Sequence, residues 1–246
     1  GILCARGAGE MLLTFPEVFF VFLPELAPMQ GFDTRRPQNH CWDVWGHTAH
    51  AVDAIAAEPV LRLAMLFHDS GKPETFRFDA QAGFGRFPGH PAASARIADA
   101  ALRRLRCDNA ARERVLTLVE NHEMRTGHGK KDLRRLLAKI GEENMRDLLL
   151  VRRADAAAHA PEAAARLTAL AGEDERLLNE IIAEHGCLHV KDLAVSGNDL
   201  LSLGMKPGAA VGETLSRLLD LVLDEEIPNE KEALLAAARK EIPKHE

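Results

Sequence analysis

Pro59-Val60-Leu61-Arg62-Leu63-Ala64-Met65-Leu66-Phe67-His68-Asp69-Ser70-Gly71-Lys72 decides the reading of this chain. Proline suits the first turn of a helix, where its missing N–H would have no partner. Leu61, Leu63, Ala64, Leu66 and Phe67 then form a buried stripe, which runs out at the His68-Asp69 doublet. Successive helical residues point about 100° apart, so both side chains can reach one ion only near a helix end. Gly71 meets that need.

The helical theme continues on both sides. Asp43-Val44-Trp45-Gly46 opens a segment to about Ala57 that carries His47 and His50 on one face. Residues 71–91 are rich in glycine and proline and predict an irregular loop ending in Phe87-Pro88-Gly89-His90-Pro91. Helical patterning resumes from Pro91 to about Cys107 and from Asp108 to His122. Two further helices run from Lys131 to Ile140 and from Glu142 to about Ala160, the second carrying Asp155 near its end. A long helix from Pro161 to about Glu184 follows, then a short extended piece over His189 to Ala194. Ser196-Gly197-Asn198-Asp199 caps a helix that stops at Gly204. Lys206-Pro207-Gly208 starts the next helix, and Asn229 caps the last.

Composition agrees with an all-α fold. Aromatics make up only 5% of the residues and Tyr is absent, which disfavours strands, while Ala, Leu, Arg and Glu favour helix. The expected organisation is an N-terminal apolar segment over 1–40, a metal-binding body over 41–160 and a helical tail over 161–246. The apolar run from Met11 to Met29 is interrupted by Pro16, Glu17, Pro24 and Glu25, so it reads as buried core rather than a membrane span. Cys4, Cys41, Cys107 and Cys187 show no CxxC pair, which points to a reducing cytoplasm. The chain begins with Gly1, and a segment upstream of it is an open expectation.

His47, His68, Asp69 and Asp155 offer two imidazoles and two carboxylates, a set suited to Mg, Mn, Fe, Co or Ni with water positions left open. Such an ion acidifies bound water and offsets phosphoryl charge, which is the chemistry of phosphate-ester hydrolysis. Asp69 and Lys72 are the candidate catalytic residues; Lys72 either holds a substrate phosphate beside the ion or is an exposed loop lysine. His90 and His122 either complete a second metal site, bind phosphate, or cap helices. His50, His128 and His159 are weaker candidates, and His185-Gly186-Cys187-Leu188-His189 reads as a loop. Between Ala101 and Asp155 there are fourteen Lys or Arg against nine Asp or Glu, in a chain of net charge −6. That basic middle suits a phosphate-rich partner or a solvated helix surface. Arg134 and Arg135 within it, with Lys206 and Gly208 at a helix start, are candidate RNA contacts.

His47, His68-Asp69 and Asp155, in this order, resemble the signature of the HD superfamily of metal-dependent phosphohydrolases, whose fold is helical. The flanking text is similar to that of the HD-bearing bacterial CCA-adding enzymes and their poly(A) polymerase relatives. Leu23-Pro24-Glu25-Leu26-Ala27-Pro28, Gly31-Phe32-Asp33, His40-Cys41-Trp42-Asp43-Val44-Trp45 and Phe87-Pro88-Gly89-His90-Pro91 carry the likeness. So do Asp192 to Leu200 and Leu203 to Gly208 in the tail. The resemblance implies an HD helical core with a helical tail, His47, His68, Asp69 and Asp155 as metal ligands, and a body and tail that help to hold tRNA. Some members of that family have phosphatase and 2′,3′-cyclic phosphodiesterase activity. The family's nucleotidyltransferase head carries an Asp-x-Asp pair that this sequence lacks, so CCA addition is not expected from this chain alone. Two functions follow as expectations: a metal-dependent phosphohydrolase acting on nucleotide or RNA-end phosphates, or a tRNA-binding body whose catalytic head lies outside the chain and whose HD site is structural or vestigial.

Overall fold

The computed structural model describes residues 1–34, 41–124, 129–184 and 186–240. His40, His128 and His185 therefore lie outside the described residues. The fold is all-α, as the composition leads one to expect, with a single two-stranded sheet among the described residues. The chain divides into two compact units, Gly1–Gly127 with Glu142–Glu175, and His128–Gly141 with Arg176–Glu246.

The first unit begins with a 3₁₀ turn at Ile2–Cys4, α1 (Ala8–Thr14), α2 (Pro16–Phe22) and a second 3₁₀ turn at Pro24–Met29. Here the expectation of a buried Met11–Met29 segment needs correcting. Leu12, Leu23, Leu26 and Met29 are buried, but Met11, Leu13, Phe15, Val18, Val21 and Phe22 are exposed. The prolines are the reason: Pro16 and Pro24 each restart a short helix at its first turn, so only one side of each piece faces inward.

Next comes α3 (Val44–Ala54), whose N-cap Asp43 accepts the Gly46 N–H at 2.6 Å. It stops at Ala54 instead of Ala57. Buried Arg62 of α4 (Pro59–Phe67) donates to the Ile55, Ala56 and Leu3 carbonyls, and Ile55 is extended. His68 is the C-cap of α4, so the doublet does sit at a helix end.

The predicted loop over 71–91 is also corrected. It contains α5 (Lys72–Thr75) and an antiparallel hairpin of β1 (Arg77–Asp79) and β2 (Phe84–Arg86). Strands of three residues are too short to show an alternation. The Asp79 carboxylate, accepting from the Gln81 and Ala82 amides, and Gly83 at φ +74° form the turn. Then follow α6 (His90–Arg104), α7 (Asn109–Asn121), α8 (Lys130–Ala157) and α9 (Pro161–Ala183). Gly141 breaks α8 into two helices at φ 80°, ψ 164°, as its place between two patterned segments suggests. In the first unit α1 packs on α3, and α7 packs on both α4 and α6, around Val52, Met65, Phe67, Leu118 and Leu148.

In the second unit, Val190–Asp192 is a 3₁₀ turn rather than an extended piece, closed by the Asp192 carboxylate on the His189 amide. The helices there are α10 (Gly197–Ser202), α11 (Ala209–Leu223) and α12 (Lys231–Arg239). Ser196 and Asp199 form the capping box of α10. Glu230, not Asn229, is the N-cap of α12. The Asn229 carboxamide instead bridges the Ala194 amide and the Asp192 carbonyl. Leu200, Leu218, Leu234 and Ala238 form this unit's core.

Candidate metal centre

Five elements of the first unit bring side chains to one buried point. His47 comes from the middle of α3, and His68 and Asp69 from the end of α4. His90 is the first residue of α6, His122 the C-cap of α7, and Asp155 stands in the last turn of α8. Gly71 permits this convergence for a reason the sequence did not reveal. A β-carbon there would lie 2.7 Å from the Ala93 side chain, the His90 carbonyl and the Ser94 amide, and the Gly71 N–H donates to Ser94 Oγ at 2.8 Å. The backbone after the doublet thus rests directly on the start of α6, setting Asp69 beside His90.

The four imidazoles share one arrangement. Nδ1 of His47, His68, His90 and His122 faces the backbone carbonyl of Ala158, Met65, Phe87 and Val119, at 3.2, 2.6, 3.2 and 2.7 Å respectively. A carbonyl only accepts, so Nδ1 carries a proton and Nε2 is the nitrogen turned inward, the one left to a cation when it holds no proton. His47 Nε2 lies 2.8 Å from Asp155 Oδ1 and 3.4 Å from His68 Nε2. His68 Nε2 lies 3.3 Å from Asp69 Oδ2 and 3.5 Å from Asp155 Oδ1. The other oxygen of Asp69 faces a second pair: Oδ1 is 3.3 Å from His90 Nε2 and 3.6 Å from His122 Nε2, and those nitrogens are 3.2 Å apart.

Asp69 therefore belongs to two ligand groups, one with His47 and His68 and one with His90 and His122. Bonds of about 2.1 Å at right angles set neighbouring ligand atoms roughly 3 Å apart, so both groups fit a divalent cation. Lone pairs facing each other at 3.2 Å repel unless something positive is shared between them. That donor chemistry, and not the mere grouping of polar residues, is what suits metal.

Electrostatics of the metal-free protein follow from the same geometry. Burial alone would push the His68 imidazole down, but the charges and hydrogen bonds of Asp69 and Asp155 together raise it to about 10. Burial would push both carboxylates up; His68 and Lys72 hold Asp69, and His47 and His68 hold Asp155, well below the usual carboxylate range. Burial lowers His122. Lys72 is buried, not an exposed loop lysine, with Nζ 2.6 Å from Asp69 Oδ2. Beside the centre lies a cleft of about 300 Å³ lined by His122, Glu123, Met124, Arg152, Asp155, Ala156 and Leu167.

Other candidates stand elsewhere. His159 joins the centre's margin, its ring edge-on to His47 at 4.9 Å, while His50 stacks on Trp42 at 4.4 Å. In the second unit Arg134 is buried and engages Glu184 and Glu225, and Arg135 forks onto Asp224. A phosphate would have to displace those carboxylates. Lys206 and Gly208 are exposed just before α11. Sequence reasoning missed Arg152, which shares the cleft and pairs with Asp174 at 2.6 Å; its position one helical turn before Asp155 was the available signal.

Fold and centre together define an all-helical protein built around a buried His–Asp cluster. Residues 93–238 match the model of tRNA nucleotidyltransferase domain 2, and the chain belongs to that family. The matched region includes His122 and Asp155 but begins beyond His47, His68, Asp69 and His90. Over 94% of its length the chain is 33% identical to a CC-adding tRNA nucleotidyltransferase of Thermus thermophilus. Over 95% it is 30% identical to an A-adding tRNA nucleotidyltransferase of Deinococcus radiodurans. It spans about half the length of each, 52%. No helix among the described residues is long and apolar enough to cross a membrane.

Proposed function

We propose that this chain is an HD-type metal-dependent phosphohydrolase body, acting on nucleotide or RNA-end phosphates within a tRNA nucleotidyltransferase-like protein. The observation that carries this reading is Asp69, whose two oxygens each face a pair of imidazoles tied back through Nδ1. His47, His68, Asp69 and Asp155 would hold one divalent cation, and Asp69, His90 and His122 a second. A cation there supplies acidified water and positive charge against phosphoryl oxygens.

The chain's own residues do the rest. Backbone carbonyls fix the imidazole tautomers, so the ligand set needs little reorganisation on loading. The Lys72 ammonium, held on Asp69, is available to a phosphate oxygen entering beside it. The cleft bounded by Arg152 and Met124 has room for the remainder of a nucleotide-sized substrate. Purified protein should retain a divalent transition metal and hydrolyse 2′,3′-cyclic or terminal phosphates, and Asp69→Ala should lose both. Full activity in metal-free Asp69→Ala protein would sink the proposal.

A second reading is favoured by the relatives, which are named as tRNA nucleotidyltransferases and are about twice as long as this chain. On it the chain is the tRNA-holding body of such an enzyme, with tRNA its partner. Salt-dependent tRNA binding is expected, and its absence at low salt would remove this reading. The two can hold in one protein.

A further inference from the structure

One imidazole at the margin of the centre repeats the arrangement of the four inside it. His159 follows Asp155 by four residues, just past the end of α8, and its Nδ1 faces the Asp155 carbonyl at 2.8 Å. The same tie in His47, His68, His90 and His122 leaves Nε2 to a cation. Ala158, the residue before His159, holds His47 through its carbonyl, 3.2 Å from Nδ1. A single turn of backbone, from Asp155 to His159, thus fixes both rings.

The ring positions fit a shared ion. Two imidazoles bound at right angles to one metal, each through a bond of about 2.1 Å, have centroids roughly 4.6 Å apart. His47 and His159 have centroids 4.9 Å apart, against 5.4 Å for His47 and His68 and 5.1 Å for His90 and His122. A ligand atom of His159 lies within 4.8 Å of ligand atoms of both His47 and Asp155. Opposite ligands of an octahedral ion stand about 4.2 Å apart, so that span is close to one coordination shell. The His159 side chain is 11% exposed and that of His47 2%; His159 closes the shell from its outer side.

We propose that His159 is a further ligand of the cation held by His47, His68, Asp69 and Asp155, and that this third imidazole selects a transition-metal ion over magnesium. Imidazole nitrogen suits iron, nickel and their neighbours, whereas magnesium prefers carboxylate oxygen and water. Magnesium also gives up its bound waters reluctantly, so a third nitrogen donor favours its competitors. The inference rests on the cation of the phosphohydrolase reading and not on the hydrolysis.

Cobalt and magnesium titrations of the whole chain, after chelation and dialysis, test this, with thermal melting of the metal-free protein as the control for folding. His159→Ala should weaken cobalt binding by at least the roughly tenfold that a lost supporting partner costs, and leave magnesium binding nearly as it was. His159→Phe keeps a ring against His47 and should behave like the alanine variant. His159→Asp restores a ligand, but an oxygen, and should narrow the preference for cobalt over magnesium. In the cobalt protein each ligating imidazole contributes one hyperfine-shifted Nδ1 proton to the NMR spectrum, and His159→Ala should lose one. Cobalt binding unchanged in the Ala and Phe variants, or every shifted proton retained, would overturn the proposal. So would equal losses of cobalt and magnesium, the mark of a merely structural role, or an unaltered protein that binds no cobalt. Cobalt binding that depends on His159, without hydrolysis of any phosphate ester, would remove the phosphohydrolase reading and leave this inference standing. Hydrolysis of p-nitrophenyl phosphate by a protein whose metal binding ignores His159 would do the reverse.

Discussion

The first unit buries His47, His68, Asp69, Lys72, His90 and His122 together, whereas the core cluster of the second is built from Cys187, Leu193, Val195, Leu200, Leu218, Leu234 and Ala238. The second unit keeps its charges outside that cluster. Lys130, Lys131, Arg134 and Arg135 meet Glu184, Glu225 and Asp224 in a network of ion pairs. Burying ionisable groups costs free energy unless each is paired, and a region that accepts that cost is a candidate for chemistry. The contrast teaches that an abundance of positive charge is a weaker pointer to function here than the placement of a few buried groups.

The contrast can be broken most directly at Asp69. Asp69→Ala should lower cobalt affinity by more than the roughly 10–100-fold typical of lost supporting partners, read by metal analysis after dialysis. Retained metal would dissolve the distinction between the units. Leu234→Ala in the apolar core should cost about 2–5 kcal/mol by denaturant titration while metal content per folded chain holds. Gly71→Ala forces α6 away from the doublet and should cost about 1–3 kcal/mol; it sharpens the comparison if metal affinity falls with it.

A pH effect should follow from His68. In the metal-free protein it stays protonated to about 10, against 6.5 in the unfolded chain. The stability it contributes is fully present below about 6.5 and is lost as pH rises through about 10. Metal loading near pH 8 should therefore release roughly one proton per chain from this residue, measurable by calorimetry in buffers of different ionisation enthalpy. Arg135→Ala, by comparison, removes an exposed pair with Asp224 and should cost no more than about 1 kcal/mol, less at high salt.

The helices were legible because their signals are local. Pro59, Asp43, Gly141 and the Ser196–Asp199 box each act within a turn of their own position. The candidate ligands His47, His68, Asp69 and Asp155 could be picked out by residue type and order. Nothing local told that Asp69 faces two imidazole pairs, since His90 and His122 come from helices separated from it in sequence. Gly71 was read as a helix terminator, yet its backbone also needs bare contact with α6. The hairpin escaped because three-residue strands carry no period, and the apolar faces of α1 and α2 because hydrophobicity alone does not tell which side turns inward.

The order in which the chain leaves the ribosome meets an obstacle in how it divides. The stretch 128–141 belongs with 176–246, while 142–175 returns to the first unit. Lys130, Arg134 and Arg135 are therefore synthesised well before Glu184, Asp224 and Glu225. Neither unit can be completed as an uninterrupted run of codons: the first must wait for residue 175, and the second holds one helix in reserve until the rest arrives. A gene cut at residue 160 would strand that early helix without its acidic partners, and the piece left behind would expose it to aggregation.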